Sequence, residues 1–417
     1  MAVDHGASAA KEWRRYWPLA LTASMGMALA AAFNTMLGVM IVPIEQEFGW
    51  TRAEISSGPL IVSVMGIIFA APAGYVIDRL GARRVGIVVV VMMSGALMLL
   101  GTTSNHIWHW WIGWITYAVA ATATATVWMA PLSGKFHKGR GLAITLALAG
   151  AGLSAALLPT TANYLIENEG WRAGYLVVGT IFAVITIPLT YCFWRGTEDA
   201  PQADSSEGAQ PAELPGMTVG EALKSRNYRL IVAAQLIGSL ASTALVINLI
   251  PMLIDAKISA AEAAAMAGAQ GVASTLGRFV GGWALDHVSA KWLVSASMFS
   301  SAVLPIVLIA APGSVPLAFA AVVFNGLANA VKYPGMVYLL SRHVGMKSFG
   351  TLFGMISTVM SVASGVCPML ANYVYDITRS YEIVLWALIP PFIIGGFLFA
   401  ALGRYPDFAS GREPTTE

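Results

Sequence analysis

Charge is what this sequence has least of. Charged residues make up 11% of its 417 positions, where soluble domains carry about 25%. With 57% hydrophobic residues and a mean hydropathy of +0.68, a soluble chain is excluded and a polytopic membrane protein is expected. Chains of this kind are all-helical, because lipid offers no partner to an unpaired backbone group. Cysteine is scarcer still: Cys192 and Cys367 lie in apolar stretches of opposite halves, with no metal spacing, and read as small packing residues. The net charge of +2 provides no basic surface for nucleic acid. P-loop, hydrolase and membrane-protease motifs are missing, so neither an enzyme nor a cofactor or metal site is expected.

Long apolar runs fill the chain instead. Residues 1–15 form a short polar arm ending in Lys11, Arg14 and Arg15. The run Tyr16–Val42 is too long for the core of a signal peptide and reads as a retained first helix. Further spans follow at about 55–77, 83–103, 108–132, 140–166 and 171–195. Residues 196–226 are rich in Asp, Glu, Ser and Pro and read as a linker. Six more spans lie at about 227–254, 262–286, 291–311, 315–341, 348–376 and 381–403. Each is near or above the ~20 residues that cross a bilayer. The expected fold is an all-α membrane protein of twelve transmembrane helices in two pseudo-symmetric six-helix bundles. Its parts are an N-terminal bundle (1–195), a cytoplasmic linker (196–226), a C-terminal bundle (227–403) and a cytoplasmic tail (404–417).

The basic residues set the orientation. With the N-terminus inside, eighteen of the 24 lysines and arginines fall in inside segments. Four (Arg52, Arg172, Lys257 and Arg379) fall outside, and Arg278 and Lys332 stay within spans. The positive-inside rule then places both termini in the cytoplasm of a multi-pass protein of the inner (plasma) membrane.

A motif recurs. After the second span the chain reads Gly74-Tyr-Val-Ile-Asp78-Arg79-Leu-Gly81-Ala-Arg83-Arg84, and after the eighth Gly282, Asp286 and Lys291 repeat it, with His287 in place of the arginine and Ser289 in place of the glycine. Internal repeats of this kind put a substrate path at the interface between halves. Gly74, Asp78, Arg79, Arg83 and Asp286 are the expected gating residues. The pattern G-x-x-x-D-R-x-G-x-R-R in this position resembles the signature of the major facilitator superfamily, and the resemblance spans nearly the whole chain. Lys138-Gly-Arg140-Gly-Leu-Ala143, Gly170-Trp171-Arg172-Ala-Gly-Tyr175 and Gly277-Arg278-Phe279 before Asp286 resemble the monocarboxylate porter and oxalate–formate antiporter branches. That resemblance implies a secondary transporter in which an arginine of the eighth span, here Arg278, binds the substrate carboxylate.

The residues themselves point the same way. Gln270, Ser274 and Arg278 follow at i, i+4 and i+8, on one helical face. Asn325, Asn329, Lys332 and Met336 form a second stripe. A cation inside a span costs roughly 2.5–3.5 kcal/mol on insertion scales and marks a functional site by default. A cation bonded to helix carbonyls or to an acid on another helix is the bland explanation, but no Asp or Glu lies deep in any span. The missing counter-charge is then the substrate, gripped bidentately by arginine or as a point charge by lysine. In the N-terminal half, Phe33, Asn34, Tyr117, Thr124 and Trp128 could enclose or orient a substrate, although such residues also glue membrane helices together. Gln235 and Asn248 share that ambiguity. Ser357, Ser361 and Ser364 read as packing residues.

Gly150-Ala-Gly152 imitates a dinucleotide fingerprint but lies inside an apolar helix and follows no strand, so close helix packing explains it. His106 and His109 among Trp108, Trp110 and Trp111 read as an interfacial aromatic belt. The expected function is import of a small mono- or dicarboxylate by alternating access, with a proton as co-substrate, by a monomer in the bilayer; exchange is the alternative mode. A drug exporter would need an embedded acid for its cation, and a non-transporting receptor would usually add a soluble domain.

Overall fold

The computed structural model describes residues 9–136, 140–194, 216–345 and 347–406. The gating positions Gly74, Asp78 and Asp286, together with Gly282, lie outside the described side chains, and most of the expected linker lies outside the described residues. Among the described residues the chain forms helices and no strand. They are α1 (Ala9–Phe48), α2 (Arg52–Ile55), α3 (Ser57–Leu80), α4 (Ala82–Gly101), α5 (Ile107–Lys135), α6 (Arg140–Glu169), α7 (Trp171–Phe193) and α8 (Val219–Lys224). Then come α9 (Arg226–Ile247), α10 (Leu249–Asp255), α11 (Ala260–His287), α12 (Ala290–Ser301), α13 (Val303–Ala310), α14 (Val315–Val344), α15 (Phe349–Thr378) and α16 (Glu382–Ala400).

The polar arm is partly helical: α1 begins at Ala9, because Ala-Ala-Lys-Glu-Trp-Arg-Arg is made mostly of good helix formers. Two expected spans are each broken into two helices. The seventh turns at Asn248, between α9 and α10, and the ninth at Ala302, between α12 and α13. A short helix, α8, closes the stretch expected to be linker. Thr218 and Glu221 cap it reciprocally, with the Glu221 carboxylate accepting from the Thr218 amide at 2.8 Å. Those bonds hold the exposed Glu221 carboxyl below its ordinary range.

Eleven stretches of the described residues are long and apolar enough to cross a membrane. The expected span outside that set is α11. It has 28 residues, ample for a crossing, but Gln270, Arg278 and its glycines dilute its hydropathy. The least apolar span is thus the one carrying the candidate arginine.

The chain divides into two compact units, Met1–Ser205 and Ser206–Glu417. Each is built on the same pairing of helices. In the first, α1 packs on α6, α3 on α5, and α4 on both α5 and α7. In the second, α9 packs on α15, α11 on α14, and α12 on both α14 and α16. Counting each broken span as one, these are the same four pairings, which is the duplication announced by the repeated motif.

Small residues set the approach of helices, as expected where van der Waals contact and not hydrophobic exclusion drives association. Gly150 of α6 lies so close to the backbone of Ser24 on α1 that a β-carbon there would collide with the Ser24 carbonyl. Four residues on, Ser154 Oγ donates to the Ala28 carbonyl at 2.6 Å. The dinucleotide look-alike is therefore a packing seam. An aromatic core completes the first unit: Phe33 stacks on Tyr117 at 3.5 Å, and Trp114 meets both rings edge-on.

The repeated motif has the same local geometry twice. Arg79 lies over the ring of Tyr75, four residues earlier, at 4.6 Å. His287 stacks on Trp283, also four residues earlier, at 4.6 Å. The imidazole thus keeps the contact of the arginine it replaces.

Candidate functional site

The second unit carries an open cavity of about 350 Å³ between α9, α12, α14 and α15. Helix α9 contributes Gln235, Gly238, Ser239, Ser242 and Thr243; α14 contributes Asn329, Lys332 and Tyr333. Met298 of α12 and Met360, Ser361 and Ser364 of α15 complete the wall. It is amphipathic: thioethers on two sides, hydroxyls and amides on the others, and one ammonium. Pockets for small molecules have this character, mostly apolar with a few convergent polar groups.

Lys332 is 6% exposed. Its Nζ donates to Asn329 Oδ1 at 2.9 Å and to Ser242 Oγ at 3.0 Å, and lies 4.7 Å from the centre of the Phe392 ring. An ammonium has three N–H donors, and the described residues take two of them. All these partners are neutral. A buried ion without a counter-charge is costly, and hydrogen bonds together with the face of an aromatic ring offset that cost only in part. Among the described residues Lys332 has no counter-charge.

Behind the ammonium runs a line of amides. Asn329 Nδ2 donates to Asn325 Oδ1 at 2.7 Å, and Gln270 Nε2 of α11 donates to the same oxygen at 2.9 Å. Gln270 of the first stripe thus joins the amides and the ammonium of the second in one continuous chain, Gln270–Asn325–Asn329–Lys332–Ser242, across three helices. Gly326 permits it. A β-carbon there would stand 2.6 Å from the Gln270 carbonyl, so only glycine lets α11 come near enough for Gln270 to reach Asn325. The chain orients the Asn329 carbonyl toward Lys332, since its amide nitrogen is already committed.

Of the other expected site residues, Ser274 is half-buried on α11 and Arg278 is exposed. Arg278 does not line the cavity of Lys332. Its backbone nevertheless stands beside α14, because neighbouring Gly277 packs against Ala330 and Leu327. In the first unit Phe33 is fully buried in the aromatic core. Tyr117 donates its hydroxyl to the Ala30 carbonyl of α1 at 2.9 Å, so its donor is spent on a helix backbone. Asn34 is exposed.

Sequence reasoning left Gln235 ambiguous, gave the serines of α15 to packing and did not single out Ser242. No spacing signal marks Ser242, one serine among many; only the fold brings it to Lys332. The Gly170-Trp171-Arg172 motif also acquires a local role. Trp171 Nε1 donates to Glu47 at 2.5 Å, and Arg172 pairs with the same carboxylate at 2.6 Å while donating to the Thr103 carbonyl at 3.1 Å. The motif thereby ties the ends of α1, α4 and α7 together.

Comparison with known proteins agrees with this architecture. The family model of the Major Facilitator Superfamily matches residues 23–256 and 231–417. Monocarboxylate transporter 11 of Mus musculus is 26% identical over 416 residues, covering 93% of this chain and 87% of that protein. Monocarboxylate transporter 13 of Bos taurus is 24% identical over 422 residues, covering 96% and 92%. A crystal structure of a D-xylose–proton symporter superposes with a TM-score of 0.69 at 13% identity, covering 94% of this chain and 98% of that one. A bacterial homolog of the human lysosomal transporter Spinster superposes with a TM-score of 0.67 at 16% identity, covering 92% and 93%. With its duplicated six-span units, its repeated motif and a family match that spans both, the chain belongs to the major facilitator superfamily, as a multi-pass membrane transporter related to the monocarboxylate transporters.

Proposed function

We propose that this transporter carries a small organic anion, a mono- or dicarboxylate, by alternating access, with Lys332 holding a carboxylate in the second unit. The observation that supports this most is the buried Lys332 ammonium, which lines a cavity and whose partners among the described residues are neutral. The kinship with transporters named for monocarboxylates supports the same substrate class. Arg278 is the second cation of the reading, offering a carboxylate the bidentate fork that lysine lacks. Two cations suit a dianion, or a monoanion with a further polar group. Asp78, Arg79, Arg83 and Asp286 are proposed to act in closing the path and not in binding. The charge bias supports cytoplasmic termini in the plasma membrane.

Import with a proton is the first mode proposed, and exchange is the second. Exchange is favoured by one observation: no carboxylate or imidazole is among the residues that line the cavity to carry a proton. Uptake of labelled carboxylates into proteoliposomes tests both. Uptake driven by an inward proton gradient supports symport. Uptake indifferent to that gradient but stimulated by internal anion supports exchange, and no uptake of any carboxylate overturns the substrate class.

A further inference from the structure

Asn325 uses one half of its amide twice and the other half not at all. Its Oδ1 accepts from Asn329 Nδ2 at 2.7 Å and from Gln270 Nε2 at 2.9 Å. Its Nδ2 is buried and has no hydrogen-bond partner among the described residues. The side chain is fully buried and does not line the cavity, so a ligand there does not touch it. An amide placed only to join helices would put its N–H donors to use, since a buried donor left unpaired is costly.

The other end of the chain explains the asymmetry. An ammonium can only donate, so Asn329 must turn its oxygen to Lys332 and its nitrogen to Asn325. Asn325 must then present oxygen to Asn329, and Gln270 must present nitrogen to that same oxygen. The sense of every amide thus follows from the charge on Lys332. Turning Asn325 over would set its N–H groups against those of two neighbours. Gly326, the next residue, lets the backbone of α11 close on α14 at this level, so the second donor is delivered by another helix.

We propose that Asn325 is a positioning residue of the anion site: acting through Asn329, it holds the Lys332 ammonium in the cavity wall in the orientation that receives a carboxylate. This rests on the reading that Lys332 binds the carboxylate. The ammonium sits on a flexible four-carbon stem and has to be fixed by its partners. Of its two hydrogen-bond partners among the described residues, Asn329 is the one anchored from behind, by Asn325 and through it by Gln270. Without the Asn325 oxygen, the Asn329 amide is free to turn and its carbonyl no longer fixes Nζ. Binding then has to order a mobile cation, and affinity falls.

The test is a double-mutant cycle read by calorimetric titration of the purified full-length protein, with butyrate and succinate as probes. The cycle uses whichever probe wild type binds more tightly. Asn325→Leu should weaken binding about fivefold, the net worth of one hydrogen bond. In an Asn329→Leu background the same change should make less than about a twofold difference, because the residue it acts through is gone. A general loosening of the bundle would instead weaken binding equally in both backgrounds. Unchanged affinity in Asn325→Leu, or an equal loss in both backgrounds, overturns the role of Asn325 and leaves the carboxylate reading standing. A wild type that binds neither probe, or a Lys332→Met protein that binds as wild type does, overturns the carboxylate reading and this one with it. Should Asn325→Leu not fold, Gln270→Met decides in its place, since it removes one of the two donors on the Asn325 oxygen. It should weaken binding about threefold in the wild-type background and leave the Asn329→Leu background unchanged. No loss, or the same loss in both, overturns the role of Asn325.

Discussion

Arg83 and Lys291 make the same contact in the two units. Arg83, at the start of α4, donates to the Tyr191 carbonyl near the end of α7 at 2.8 Å. Lys291, at the start of α12, donates to the Leu402 carbonyl just past the end of α16 at 3.2 Å. Both are the last shared basic position of the repeated motif, and both meet the negative end of the sixth span of their unit, where unpaired carbonyls favour a cation. The motif thus clamps each bundle as well as marking a loop.

Arg83→Ala and Lys291→Ala should each cost about 0.5–1 kcal/mol, the range for a cation at a helix C-terminus at a hydrated site. The two lie in separate units, so the double variant should be additive to within about 0.5 kcal/mol. Thermal unfolding of the purified variants measures this. A strongly non-additive double variant would mean the two clamps act on one element.

Replacing Lys332 by Met should abolish carboxylate binding and leave the protein at least as stable. It removes a buried charge that has no counter-charge among the described residues, and apolar replacements of that kind are often neutral or stabilising. Adding a bound carboxylate at a hundredfold its Kd should stabilise wild type by about 2.7 kcal/mol and the variant not at all. Equal ligand-induced shifts in melting temperature for the two proteins would place the anion elsewhere.

For Arg278, charge and geometry separate. Arg278→Lys keeps the charge but loses the fork, and should raise KM; Arg278→Ala should abolish binding. An Arg278→Ala protein that transports a carboxylate at wild-type rate would leave Lys332 as the only substrate cation.

Tyr117→Phe tests the first unit. Its hydroxyl serves the Ala30 carbonyl and its ring stacks on Phe33. The change should cost about 0.5–1.5 kcal/mol of stability with KM unaltered. A several-fold rise in KM with stability preserved would return Tyr117 to the substrate.

Composition and the length of the apolar runs were enough to read a helical membrane protein, since a bilayer dictates both, and the repeated motif was enough to read its duplicated halves. The i, i+4 spacing was enough to put Gln270 with Ser274 on one stripe and Asn325 with Asn329 and Lys332 on another, because one helix sets its own faces. Which stripes meet was decided only by tertiary structure. Lipid and a neighbouring helix are equally apolar, so hydropathy does not distinguish a residue facing one from a residue facing the other. Phe33 and Tyr117 therefore looked available from sequence and are packed together in a core. Ser242 and Gln235 looked like ordinary polar residues of a span, yet the packing of α9 beside α14 and α15 puts both in the wall beside Lys332. In sequence Arg278 and Lys332 were both cations within spans, with Arg278 the expected carboxylate anchor. The fold separates them, because the crossing of α9, α12, α14 and α15 leaves a cavity that Lys332 lines and Arg278 does not.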